Sequence, residues 1–195
     1  MKTDIVLSGV GGQGILSIAT IIGDAALCEG LLIKQAEVHG MSQRGGDVQS
    51  NLRISSKPIN SDLIPLASAD AIISLEPMEA LRYLPYLAPE GWVITSSKPV
   101  INIPNYPDIV DIEAELTKLK NVVMFDIDVL AKENNMAKSG NVILLGGAVD
   151  AIGIPYNVIE NSVRRIFAPK GDAVIEQNVR ALRLGYEAKK ECKNA

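Results

Sequence analysis

Asp4-Ile-Val-Leu-Ser-Gly-Val-Gly-Gly-Gln-Gly-Ile-Leu-Ser17 is the stretch on which the fold turns. A short apolar run breaks into a glycine cluster and resumes as an apolar helical pattern, so it reads as strand, tight turn and helix. Gly9, Gly11 and Gly14 fit the spacing G-x-G-x-x-G, in which missing side chains allow a sharp turn, close approach of a ligand's phosphates and close helix packing. The first N–H groups of the helix then face outward at the positive end of its dipole and can hold an anion without a charged side chain. Gly9, Gly11, Gly12, Gln13 and Gly14 are therefore candidate ligand-contacting residues. The same glycines also suit a helix packed tightly over a sheet with nothing bound.

Outward from this turn, residues 15–29 are apolar around most of a helical circumference and stop at Gly30. Residues 31–37 form a second strand, predicted to run parallel to the first through a right-handed crossover. Val38-His-Gly-Met-Ser-Gln-Arg-Gly-Gly46 is too polar and glycine-rich for an element interior. It reads as a second loop beside the first. Residues 47–55 alternate, with Val48, Ser50, Leu52 and Ile54 on one side and Gln49, Asn51 and Arg53 on the other, which predicts a half-exposed strand. Beyond a turn at 56–61 come a strand at 70–75, a helix at 77–87, a strand at 91–96, a proline-rich excursion at 98–107, a helix at 112–120 and a strand at 121–125. Helices are predicted at 126–133, 141–152, 156–167 and 172–193 and are expected to cover the sheet. This alternation predicts an α/β three-layer sandwich, its sheet mostly parallel and mixed at one edge, with a Rossmann-like N-terminal glycine turn.

At 195 residues the chain suits a single domain, 1–195. Apolar residues at 47% and charged residues at 22% are ordinary for a globular protein, and no apolar run approaches the ~20 residues of a membrane span. The start, Met1-Lys2-Thr3-Asp4, enters a strand at once without a secretory leader, so a cytoplasmic location is expected. A net charge of −4 argues against nucleic acid or membrane as partners and makes any anion site local. Cys28 and Cys192 carry no C-x-x-C spacing, so neither a disulfide framework nor a metal centre is expected.

His39 is the only histidine and ends the second strand, where ligands bind in open α/β sheets. It suits a catalytic imidazole or a loop brace. Arg44 offers a planar fork for phosphate or carboxylate, or an ion pair with Glu37 or Asp47; both His39 and Arg44 are catalytic candidates. Glu37 lies where a nicotinamide-binding fold keeps an acid for ribose. A free-standing NAD(P)-dependent oxidoreductase built on Gly9, Gly11, Gly14 and Glu37 is thus one reading, and a non-catalytic assembly module is another. No Walker lysine, G-x-S-x-G or H-E-x-x-H is present. The chain looks like part of an active site.

The glycine turn, Ala36-Glu-Val-His-Gly-Met-Ser-Gln-Arg-Gly-Gly46, the strand to Ser55, Gly140-Asn-Val-Ile-Leu-Leu-Gly146 and Glu176-Gln-Asn-Val-Arg-Ala-Leu-Arg-Leu-Gly-Tyr186 together resemble the gamma-type domain of 2-oxoacid:ferredoxin oxidoreductases. The likeness covers nearly the whole chain. Glu37-Val-His-Gly40 followed by Gln43-Arg-Gly-Gly46 is most similar to the branch that acts on indolepyruvate; the pyruvate and branched-chain branches are the alternatives. The resemblance implies an aryl 2-oxoacid decarboxylated on thiamine diphosphate, electrons passed through iron–sulfur clusters to ferredoxin, and an acyl group ending on coenzyme A. It implies a large alpha subunit carrying the thiamine diphosphate and clusters and no activity from this chain alone; exposed apolar surface should make the isolated chain self-associate, as a homodimer. Gly9, Gly11, Gly12, Gln13, Gly14, Glu37, His39, Gly40, Gln43, Arg44, Gly45 and Gly46 would then line one wall of the assembled site.

Overall fold

The first strand, β1 (Lys2–Val10), stands inside the sheet, with Ile5 and Leu7 facing one core and Val6 the other, all fully buried. A strand covered on both faces needs an unbroken apolar run, which residues 5–7 supply. In the computed structural model, residues 1–39 and 45–192 are described, His39 by its backbone alone. Of the predicted site residues, Gly40, Gln43, Arg44 and the His39 side chain lie outside the described residues.

β1 leads through the glycine turn into α1 (Ile15–Cys28) and β2 (Leu32–His39). There follow β3 (Asp47–Ser55), β4 (Ala69–Ser74), α2 (Pro77–Arg82), β5 (Leu87–Ser96), α3 (Ile109–Thr117), β6 (Val122–Phe125), α4 (Ile127–Glu133), α5 (Gly140–Ile152), α6 (Tyr156–Phe167) and α7 (Asp172–Cys192). The sheet order is β2-β3-β1-β4-β5-β6. β1, β4, β5 and β6 pair in parallel, while β3 runs antiparallel between β2 and β1. The first two strands therefore point the same way, as predicted, but β3 separates them. One face carries α1, α4, α5, α6 and α7; the other carries α2 and α3.

The sequence reading needs four corrections. The helix expected to reach residue 87 ends at Arg82, because Pro85 cannot continue it; a short 3₁₀ turn follows and β5 begins at Leu87. The strand expected from residue 91 thus starts earlier, with an irregularity opposite Ala69–Ala71. The helix predicted at 112–120 runs from Ile109 to Thr117, set by the Asp108 side chain, which accepts from the Val110 N–H. The polar side of β3 is covered rather than exposed: Asn51 accepts from the Ile64 N–H at 3.3 Å, and Arg53 forks onto the buried Asp4 at 2.8 and 2.9 Å. Segment 61–64 thus lies over a face that alternation alone assigned to solvent.

The four late helices stand close to their predicted bounds. α5 lies on the sheet against β4 and β5, and α7 crosses it where Gly146 and Gly185 meet. A Cβ on Gly185 would overlap the Ile143 carbonyl, and one on Gly146 the Leu182 carbonyl. The two backbones touch because both positions lack a side chain.

Candidate functional site

At the carboxyl end of β1 the backbone folds back so that the Gln13 N–H donates to the Val10 carbonyl at 3.2 Å. The Gln13 side chain clamps this turn: its Oε1 accepts from the Val10 N–H at 2.7 Å and its Nε2 donates to the Leu75 carbonyl at 3.1 Å. The amide is engaged within the protein. Gly9 leaves room for it, since a Cβ there would stand 2.7 Å from Gln13 Oε1. Gly14 caps α1 in a left-handed conformation, φ 91°, and faces the Asn141 amide, which donates to its carbonyl at 3.2 Å. No side chain caps α1 and its first turn holds no acidic residue. Its positive end remains open to an anion.

The second loop meets this turn through its backbone. Gly11 N–H donates to the Gly46 carbonyl at 2.8 Å, and Gly45 N–H returns to the Gly11 carbonyl at 3.4 Å. The two glycine segments therefore form one wall. A strap after β5 reaches the same wall, with Asn102 Nδ2 donating to the Gly45 carbonyl at 2.7 Å. That strap is held from below by Glu76, fully buried, whose carboxylate accepts from the Val100 N–H, the Tyr106 hydroxyl and the Glu79 N–H. Burial, and then the Glu76 carboxylate, push the Tyr106 hydroxyl well above the usual phenol range.

Two cavities flank the glycine turn. One, of about 380 Å³, lies towards β2 and is lined by Gly11, Gly12, Gly14, Leu16, Glu37 and Val48. The other, of about 440 Å³, opens beyond the carboxyl ends of β4 and β5, between Gly12–Gly14, Ser96, Lys98, Lys138 and Asn141, with Asp128 at its side. It stands where the chain leaves β1 to one side and β4 to the other, the switch point at which open α/β sheets bind ligands. The starts of α1 and α5 both contribute residues to it, and α5 likewise has no side-chain cap. Two helix N-termini and two exposed lysines make this an anion-accepting cavity. Lys98 and Lys138 escaped the sequence reading, because nothing local to either shows that the fold brings them together.

Glu37 shares the first cavity with the glycines. In a dinucleotide site the acid sits on the strand beside β1; here β3 occupies that place and Glu37 is one strand further out. The nicotinamide reading loses its geometry. Iron–sulfur clusters do not fit this chain either: Cys28 and Cys192 are its only cysteines, Cys28 takes a guanidinium N–H of Arg165, and Cys192 donates to the Met124 carbonyl. Among the described residues, no group of three or more His, Cys, Asp or Glu side chains could hold a metal ion, and no helix is long and apolar enough to cross a membrane.

Comparison with known proteins places this geometry among relatives. The family described as pyruvate ferredoxin/flavodoxin oxidoreductase matches residues 4–188. The chain is 35% identical over 201 residues to the indolepyruvate oxidoreductase subunit IorB of Pyrococcus horikoshii, covering 98% of each. Its fold is similar to pyruvate oxidoreductase subunit PORC of Thermotoga maritima, with TM-score 0.71, 22% identity and coverage of 95% of this chain and 96% of that one. It is also similar to part of the 2-oxoglutarate:ferredoxin oxidoreductase of Magnetococcus marinus, solved with 2-oxoglutarate, coenzyme A and succinyl-CoA bound. There the TM-score is 0.76 at 20% identity, covering 100% of this chain and 32% of that one.

Proposed function

The chain belongs to the pyruvate ferredoxin/flavodoxin oxidoreductase family, and from that premise we propose that it is the small subunit of a cytoplasmic 2-oxoacid:ferredoxin oxidoreductase acting on an aryl 2-oxoacid such as indolepyruvate. The substrate class rests on the 35% identity to a subunit named for indolepyruvate. The match over 4–188 supports reading the chain as one gamma-type domain. In the overall reaction the 2-oxoacid loses carbon dioxide, its acyl carbon joins the coenzyme A sulfur, two electrons pass singly to ferredoxin and one proton is released. Thiamine diphosphate, which supplies the electron sink for decarboxylation, and the iron–sulfur clusters belong in this reading to a large partner subunit.

The task left to this chain is to bind and orient the anionic co-substrate. The single observation that carries it is the polar cavity at the switch point, with Lys98, Lys138 and two uncapped helix starts beside the glycine turn. Phosphate groups of coenzyme A match that donor set in charge and reach. Gly11, Gly12, Gly14, Gly45 and Gly46 form the backbone wall and Gln13 holds it in shape, while Glu37 lines the neighbouring cavity. Exposed Leu16, Leu27, Leu32 and Val38 on α1 and β2 offer an apolar face to the large subunit.

The test is the double substitution Lys98→Ala with Lys138→Ala in the assembled enzyme. Losing two phosphate contacts should raise the KM for coenzyme A about tenfold, with kcat and the KM for the 2-oxoacid within about twofold. An unchanged KM for coenzyme A would remove the cavity from the site.

A further inference from the structure

The base of the second loop is held at a third point, below the wall. Asp47, the first residue of β3, follows Gly45 and Gly46 directly, and its Oδ2 accepts from the Tyr83 hydroxyl at 2.7 Å. Its other oxygen, Oδ1, is buried and has no N–H or hydroxyl partner. Glu79, only 2% exposed, lies on α2 one helical turn before Tyr83, and the neighbouring Asp47 carboxylate disfavours its ionised form. Two buried carboxyl groups so placed can hydrogen-bond to each other only when one of them carries a proton, since ionised carboxylates accept and do not donate. The orphaned oxygen and the buried acid thus explain one another.

We propose that Asp47 and Glu79 share one proton, and that this proton positions Gly45 and Gly46 against the glycine turn. Asp47 and Glu79 are positioning residues: they act on the ligand wall through the loop anchor. The proposal deepens the reading of that wall as the coenzyme A side and rests on it for the functional consequence. Arg82, Tyr83, Tyr106 and Glu76 are charged or titratable groups around the pair. Arg82 forks onto both Glu79 oxygens at 2.7 and 3.2 Å. Tyr83 holds Asp47. From the strap side come Tyr106 and the Glu76 carboxylate, the latter already filled by two backbone N–H groups and the Tyr106 hydroxyl.

Burial is the largest influence on Glu79; Arg82 opposes it and Asp47 adds to it, and the carboxyl is pushed up to about 7. The shared proton is therefore held in mildly acid conditions and leaves above neutrality. Once it has gone, two buried anions face each other with one guanidinium between them, and mutual repulsion displaces Asp47. Asp47 is covalently next to Gly46, so the Gly11–Gly46 and Gly45–Gly11 hydrogen bonds loosen with it. The expected result is weaker coenzyme A binding at alkaline pH, seen in KM more than in kcat.

The experiment is amide hydrogen exchange of Gly11 and Gly45 in the whole chain, comparing wild type with Glu79→Gln and Asp47→Asn at about pH 6 and about pH 8. Either amide side chain supplies a permanent N–H donor where the shared proton lies. Exchange at both glycines should match across the three proteins at the lower pH and be several-fold faster in wild type alone at the higher pH. Asp47→Asn serves as the second route should Glu79→Gln fold poorly. Equal exchange in all three at both pH values would overturn the proposal. In the assembled enzyme, the wild-type KM for coenzyme A should rise across the same interval while that of Glu79→Gln stays level. If exchange behaves as stated but the enzyme shows no coenzyme A-dependent turnover, the proton-sharing pair stands and the coenzyme A reading falls.

Discussion

Glu79 links a single side chain to the stability of the whole fold. Its folded pKa, about 7, lies above the ordinary glutamate value because burial disfavours the anion. Between those two values the native protein binds more protons than the unfolded chain, so stability falls with rising pH. The contribution is complete below about pH 4.5 and lost as pH passes through about 7. Wild type should therefore lose thermal stability relative to Glu79→Gln across that window, and parallel melting temperatures would contradict the assignment. Asp4 behaves oppositely: burial raises it, but the Arg53 and Lys2 pairs outweigh burial and hold it low. The glycines were legible at this scale because their spacing encodes a turn. The direction of the Gln13 amide was not, since either of its ends could have faced a ligand. Only the packed turn commits it to Val10 and Leu75.

Elements were legible where one local force dominates. α6 matches its predicted bounds because Pro155 precedes it and an apolar stripe runs its length. β3 was legible as a strand but not as an insertion between β2 and β1, because strand order depends on contacts distant in sequence. Its alternation suggested solvent on the polar side, yet Asn51 and Arg53 are met there by backbone groups of residues 61–64. The tightest element contact is the crossing of α5 and α7. Gly185→Ala would press a methyl into the Ile143 carbonyl, and a backbone atom cannot yield as a side chain can. Overpacking of this kind should cost about 3 kcal/mol, lowering the melting temperature by roughly 6–12 °C. A melting temperature within about 2 °C of wild type would show that the helices can separate cheaply.

At the scale of the whole molecule, the parallel core places every strand-to-helix loop of β1, β4 and β5 at one end of the sheet. The glycine turn, the strap and the start of α5 meet there because of that direction. The sequence carried this much: an α/β alternation and paired motifs whose resemblance to a family matched at residues 4–188. It did not carry the convergence of Lys98 and Lys138, which lie 40 residues apart and meet only across the folded sheet. The proposed small-subunit role accounts for the lack of a complete catalytic constellation among the described residues. The most direct measurement is to recover this chain, tagged, from its native cells and assay the captured complex for coenzyme A-dependent reduction of viologen by indolepyruvate, phenylpyruvate and pyruvate. Co-purification of a large iron–sulfur subunit, with turnover highest on the aryl substrates, is the predicted result. A chain recovered alone and inactive, or a complex that prefers pyruvate, would contradict the account.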